Sequence, residues 1–191
     1  MKMQELVLLN RSYRRFDESR EVTKKELYSL ISLCRTVPST ANSQALRFYP
    51  VWEKAKKDAL FPHLGWAAAL PEWGGPKKGE RPGGYIILLC DKSIAPQKPI
   101  DCGICGQTIQ LGATEMGLGG CMLMNIKRNE IASALGIDTE KYAIEMVIAL
   151  GKPAEKVVLV PLPEDGSVRY YRDESGTHYV PKRSLADLIV E

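Results

Sequence analysis

Arg11, Arg14 and Arg15 fall within five residues of one another, with Ser12 among them. Three guanidinium groups and a hydroxyl at that spacing suit a phosphate monoester. Arginine stays charged and offers a planar fork of donors, and serine adds a neutral one. The same cations also follow a short apolar stretch, where they would complement a helix C-terminus without binding anything. A second basic cluster, Pro181-Lys182-Arg183-Ser184, lies near the C-terminus and reads either as an exposed turn or as a further anion contact.

Pro38-Ser39-Thr40-Ala41-Asn42-Ser43-Gln44 is rich in short polar side chains. It could hold a polyol or the edge of a heterocycle, or its side chains could bond their own backbone. Gly117-Leu118-Gly119-Gly120-Cys121 superficially resembles a dinucleotide loop, but Met122 stands where the third glycine of G-x-G-x-x-G belongs. What remains is a helix stop that exposes backbone donors and admits a flat ligand. Cys102-Gly-Ile-Cys105 is a C-x-x-C without a second pair, so a zinc site has too few ligands. It reads as helix packing, with thiol redox work as the alternative. His63 and His178 read as structural or exposed, and no nucleophile elbow is present.

The elements that must position these groups are partly legible. A short amphipathic helix covers 4–9. Thr23-Lys-Lys-Glu26 has the form of a capping box, and apolar residues at helical spacing carry a helix over 24–35. Residues 38–47 read as a polar loop or the start of a helix. Phe48–Val51 is a short strand that Pro50 assigns to an edge. Residues 53–61 are helical, and 71–84 form a long Gly/Pro-rich loop. Apolar runs at 85–90 and 143–150 read as buried strands. Asp101 is the expected N-cap of a helix over 102–116, whose glycines imply that another backbone or a ligand lies close. A helix over 128–135 ends at Gly136. Weaker strands are expected at 157–160 and 168–171, and a helix at 184–190. The mixture is a helix-rich α+β class; regular βαβ alternation is missing.

Composition narrows the function. Apolar residues are 45% and charged residues 26% of 191, which excludes a disordered or collagen-like chain. A net charge of +3 with no long basic run argues against nucleic acid as a partner. No segment approaches the ~18 apolar residues of a membrane span, so no membrane association is expected. Five cysteines, an odd number, with no recognisable secretory leader, point to a reduced, cytoplasmic protein. The length suits a single domain over 1–191.

Taken in order, the motifs resemble the nitroreductase family of FMN flavoproteins. The resemblance rests on R-S-x-R-x-F at Arg11–Phe16 and on P-S-x-x-N-x-Q at Pro38–Gln44. It is extended by Asp101, the small-residue helix, Gly117–Gly120, Leu150-Gly151-Lys152-Pro153 and Lys182-Arg183. The resemblance implies a nitroreductase-like α+β fold, a central and mainly antiparallel sheet flanked by helices, built as an intertwined homodimer with FMN at the subunit interface.

It further implies that Arg11, Ser12 and Arg14 hold the phosphate and ribityl end, joined by Lys182 and Arg183. Pro38, Ser39, Thr40 and Asn42 would come from the other subunit to line the ring and ribityl chain, with Gln44 at the flavin edge. The backbone of Gly119, Gly120, Met122, Leu123 and Met124 would lie beside the ring. NAD(P)H would be the reductant and a nitroaromatic, quinone or similar small molecule the acceptor, in a ping-pong reaction carried by the flavin, with no catalytic side chain and no metal. A non-catalytic FMN-binding protein on the same scaffold is the alternative. Ala45-Leu46 stands where family members often have Pro-Trp, and Phe61–Gly84 matches no family motif.

Overall fold

A computed structural model describes all 191 residues. The two apolar runs lie inside β3 (Gly84–Asp91) and β5 (Tyr142–Pro153), which pair antiparallel. On its other side β3 pairs with β2 (Leu46–Val51), an edge strand, as Pro50 requires. β5 also pairs antiparallel with β4 (Gly119–Leu123) and with the two-residue β1 (Phe16–Asp17).

Every residue of β3 is buried, because both faces of the sheet are covered. Tyr85, Ile87 and Leu89 enter one core with Leu60 of α3 (Lys54–Leu60) and Ile131 and Leu135 of α5 (Arg128–Leu135). Ile86 and Leu88 enter the other with Leu27 and Leu30 of α2 (Lys24–Leu33) and Ile109 and Ala113 of α4 (Pro99–Glu115). A strand sandwiched this way has no polar face, so its sequence reads as a continuous apolar run. The α2 capping box forms as expected: Glu26 N donates to Thr23 Oγ1 at 3.2 Å and Thr23 N to Glu26 Oε2 at 2.8 Å. Gly136 closes α5 in the left-handed region at φ 66°.

α4 departs from expectation at its start. It begins at Pro99, whose ring suits the first helical position, so Asp101 is inside the helix and is not its cap. Its glycines admit side chains: a Cβ on Gly106 would meet Met122 Sδ at 2.7 Å, and one on Gly112 would meet Leu33 Cδ1 at 2.5 Å. Gly103 faces open space.

A second sheet follows the first. β6 (Val157–Pro161) and β8 (His178–Lys182) run parallel, with β7 (Tyr171–Arg172) antiparallel on β8. The strand expected at 168–171 is therefore displaced to Tyr171–Arg172. The C-terminal helix expected at 184–190 is a single 3-10 turn, Ala186–Leu188. Leu185, Leu188, Ile189 and Val190 are exposed, and so short a helix has nothing here to pack on. Residues 38–47 contain one 3-10 turn, Thr40–Asn42, before β2. The segment from Leu64 to Gly83 has no regular helix or strand. It is held by Gly65 N donating to Asn125 O at 2.7 Å, by Trp66 in the core, and by Trp73 under the Arg172 guanidinium at 4.2 Å. No helix is long and apolar enough to cross a membrane.

Candidate functional site

The segment after α1 (Met3–Leu9) runs along β4. Tyr13 N donates to Gly120 O at 3.0 Å, which fixes the backbone that carries the first basic motif. Glu155, beyond the end of β5, accepts from Arg14 N at 2.5 Å and Arg15 N at 3.1 Å through one oxygen, and from Arg172 Nη2 at 2.8 Å through the other. A buried carboxylate thus anchors the backbone of the motif. The side chains of Arg11, Ser12 and Arg14 face a cleft of about 350 Å³ that is also walled by α4, β4, β6 and β8. Arg11 Nη2 donates to Val7 O at 2.7 Å, so it does serve the α1 C-terminus. Arg14 Nη1 donates to Ser12 O, and its guanidinium lies 5.0 Å from the Tyr170 ring. The Nε atoms of both arginines are buried without a partner, and no carboxylate lines the cleft.

β8 brings Lys182 to the same cleft. His178, Val180 and Lys182 alternate along the strand and share the cleft face. Arg183 follows the end of the strand on the other alternation and is absent from the wall, so one chain offers Lys182 without Arg183. His178 is 1% exposed, and both ring nitrogens lack a partner. Burial holds its pKa down at about 4. Glu155 pulls the other way, and Arg14, Arg172 and Arg15 reinforce the drop.

Sequence reasoning missed His178, Asn10, Gln107 and Gln110, all of which line the cleft. Gln107 and Gln110 are polar residues one turn apart in an apolar helix, a signal that could have flagged them. Asn10 is tied to α4, accepting from Gln107 Nε2 and donating to Thr114 Oγ1, each at 3.1 Å.

The second motif lies elsewhere. Pro38, Ser39, Asn42 and Gln44 line a separate cleft of about 260 Å³ against α2, β2 and the start of α4. Asp101 holds this loop: its Oδ1 accepts from Thr40 N at 2.8 Å and Thr40 Oγ1 at 2.7 Å. Ser39 Oγ accepts from Gln44 N at 3.2 Å. Ala41, Asn42 and Gln44 all sit at φ near +50°, unusual for residues with a Cβ, and the hydrogen bonds hold them there. Asp101 and Cys105 face this cleft, whereas Gln107 and Gln110 face the first. At ~100° per residue, Gln107 stands roughly 200° around the helix from Cys105. Within one chain the two motifs therefore face different sides of α4 and do not meet.

The nitroreductase family profile matches residues 10–81 and 85–152, more than half of the chain. The chain belongs to the nitroreductase family. No curated protein matches it. Among solved structures it is similar to a protein of Exiguobacterium sibiricum assigned as a nitroreductase and solved in complex with FMN. That protein is 19% identical over 86% of this chain and 95% of its own, with a TM-score of 0.69. An FMN-dependent nitroreductase of Clostridium difficile is 24% identical over 81% and 89%, with a TM-score of 0.64. A Staphylococcus epidermidis protein assigned as an NAD(P)H:FMN oxidoreductase is 17% identical over 80% and 87%, with a TM-score of 0.65. At these identities the likeness carries the fold.

The family match runs through residues 61–81, which carry no motif that reads as nitroreductase by sequence. Gly119 and Gly120 differ from the expected open helix stop. They are buried in β4, where a Cβ on Gly119 would meet Tyr13 at 2.4 Å and one on Gly120 would meet Ala149 O at 2.7 Å. Their lack of side chains serves strand packing, and the helix stop is Gly117, at φ +72°. Met122 faces the arginine-lined cleft, Leu123 points into the sheet core, and Met124 is exposed past the strand end. Cys102 and Cys105 are buried against the α2–α4 core. Burial pushes the Cys102 thiol up to about 12, whereas a hydrogen bond from Cys34 lowers the pKa of Cys105.

Proposed function

We propose that this nitroreductase-family chain is an FMN-dependent oxidoreductase using NAD(P)H. The carrying observation is the convergence of Arg11, Ser12, Arg14 and Lys182 on one cleft without a carboxylate, with buried arginine Nε donors lacking acceptors. A cationic cleft lined by no carboxylate leaves its charge to be balanced by an anion, and a phosphate monoester suits these donors. When bound, FMN supplies hydride acceptance and donation at N5, which suits ping-pong transfer from NAD(P)H to a nitroaromatic, quinone or similar acceptor.

The chain's own residues bind and orient. Arg11, Arg14 and Lys182 fix the phosphate end, and Ser12 adds a neutral donor. The Met122–Met124 backbone flanks the ring. The loop Pro38–Gln44 acts on the flavin of the partner subunit, since in its own chain it faces the other side of α4. Arg183, outside its own chain's cleft, contributes at the assembled site.

A homodimer has support in unburied apolar surface. α1 buries none of its residues although Val7, Leu8 and Leu9 are apolar, and Leu188, Ile189 and Val190 are exposed. Surface of this kind marks an interface. The whole chain acts as one FMN-binding domain, in the cytoplasm.

The test is the visible spectrum of freshly purified protein before and after anaerobic addition of NADH, then NADPH. A two-banded flavin spectrum that bleaches supports the reading. A bound flavin that neither nucleotide reduces makes the protein a flavin binder, and a colourless protein that refuses added FMN overturns both.

A further inference from the structure

His178 is 1% exposed, yet neither ring nitrogen has a partner. It stands two alternations before Lys182 on the cleft face of β8, in the wall that also holds Arg11, Ser12 and Arg14. Its place in the strand is set by its backbone, whose N–H donates to Lys156 O at 2.8 Å. The imidazole itself packs beside Tyr170, with ring centroids 5.1 Å apart. A buried polar group left unpaired is costly, and here one that can offer two donors borders a cationic cleft.

The charged groups around it are Arg14 and Arg15 from the N-terminal segment, Arg172 from β7, and Glu155 ahead of β6. Burial is the main reason the ring is neutral; Glu155 opposes it, and the three cations add to it. Both Glu155 oxygens are already engaged, by the Arg14 and Arg15 amides and by Arg172. An arriving phosphate monoester brings nearly two negative charges and reverses the local balance.

We propose that His178 is a phosphate-binding residue of this site, taking a proton from solvent as the phosphate enters and donating to it as imidazolium, so that the cleft selects a phosphorylated flavin over riboflavin. This rests on the FMN reading for its ligand. The ring is neutral, its pKa held down at about 4 mainly by burial. With phosphate bound, a proton placed on it gains an anion to face, and the arginines that opposed it are themselves paired. The linkage is reciprocal: phosphate raises proton affinity, and protons raise phosphate affinity.

The chain has two histidines, so 15N-histidine NMR resolves His178 once a His63→Gln variant assigns the other. Wild-type protein is titrated from pH 5 to 8 alone, with FMN, with riboflavin and with inorganic phosphate. The expected result is a His178 ring that stays neutral throughout alone and with riboflavin, and protonates as pH falls below about 7 with FMN. A ring that stays neutral with FMN, or that responds equally to riboflavin, overturns the inference. Should neither flavin bind, the FMN reading fails, and saturating inorganic phosphate decides: protonation keeps the phosphate role, and its absence removes it. In His178→Gln, the wild-type-to-variant ratio of FMN affinities is expected to grow about tenfold from pH 8 to pH 5.5, as a group returned to the ordinary histidine range requires. A flat ratio counts against the proposal. The NMR titration needs no variant of His178 itself, so a misfolded substitution leaves it decisive.

Discussion

The arginine cleft and the loop cleft both use α4 as a wall, and they are assembled differently. The arginine cleft draws on the segment after α1, the middle of α4, β4, β6 and β8. Its basic motif is held from behind by Glu155, about 140 residues away in sequence. The loop cleft takes its polar groups from Pro38–Gln44 and depends on one distant group, Asp101. The first is a convergence of separate segments on a point of positive charge. The second is a short loop bent into three left-handed residues and pinned by a carboxylate. A cationic cleft recognises an anion wherever its donors come from. A pinned loop presents backbone and short side chains in a fixed shape, suited to a neutral ring or polyol.

The largest expected effect separates these two roles. Replacing Arg11 and Arg14 together by alanine removes charge-assisted contacts of about 1.5–3 kcal/mol each, so FMN affinity should fall at least a hundredfold. Riboflavin, which lacks the phosphate, should bind the double variant about as well as wild type. Fluorescence titration with both flavins measures this. Equal losses for the two flavins would break the assignment of phosphate to the arginine cleft.

Glu155→Gln comes next. The Glu155 side chain is 1% exposed and the Arg172 side chain 11%. Removing one partner of a buried ion pair costs about 3–5 kcal/mol, because the other charge is left uncompensated. A large fall in thermal midpoint is expected, because Arg172 loses its counter-charge while the amide oxygen can still accept from the Arg14 and Arg15 amides. A variant that keeps its midpoint would show that the convergence does not depend on this carboxylate.

How much of each cleft the sequence discloses follows from the same contrast. The two basic clusters and the Pro38–Gln44 loop are local patterns, visible as residue types in order. The α2 cap needs only Thr23 and Glu26, and the buried strands announce themselves because both sheet faces are covered. Glu155 and His178 carry no such signal. Each is a lone polar residue whose meaning comes from partners on other elements, and β8 itself contains Pro181, which masks the strand. Asp101 reads as a helix-start residue, and its type suggests a cap. Pro99 takes the first position instead, which frees the carboxylate to reach Thr40. The separation of the two clefts around α4 is a matter of helical phase between Cys105 and Gln107, which no motif spacing reveals.

Asp101→Asn sharpens the loop side of the comparison. Hydrogen bonds to a charged acceptor contribute about 1.5–3 kcal/mol, and the amide keeps the shape but loses the charge. The loop should relax out of its left-handed residues, with faster amide exchange at Thr40–Gln44 and weaker riboflavin as well as FMN binding. The arginine cleft should keep its preference for FMN over riboflavin, since none of its residues touches this loop.

The smallest effect concerns α2, which walls the loop cleft with Ile31 and Cys34 and takes no part in the arginine cleft. Glu26 closes the capping box and pairs with Arg20, and that pairing, with the Thr23 bonds, lowers its pKa to about 2. The folded state holds this carboxylate ionised more firmly than the unfolded chain does. Its contribution is therefore complete above the ordinary carboxylate range near 4.5 and is lost as pH falls from there to about 2. Glu26→Gln should cost about 1 kcal/mol at pH 7, the usual scale of a cap and a partly exposed ion pair, and the cost should vanish only as pH falls below about 2. Amide exchange along α2 should quicken in the variant at neutral pH while that of β8 is unchanged. If both regions quickened together, the two clefts would open as one cooperative unit, and the independence inferred from their separate linings would be lost.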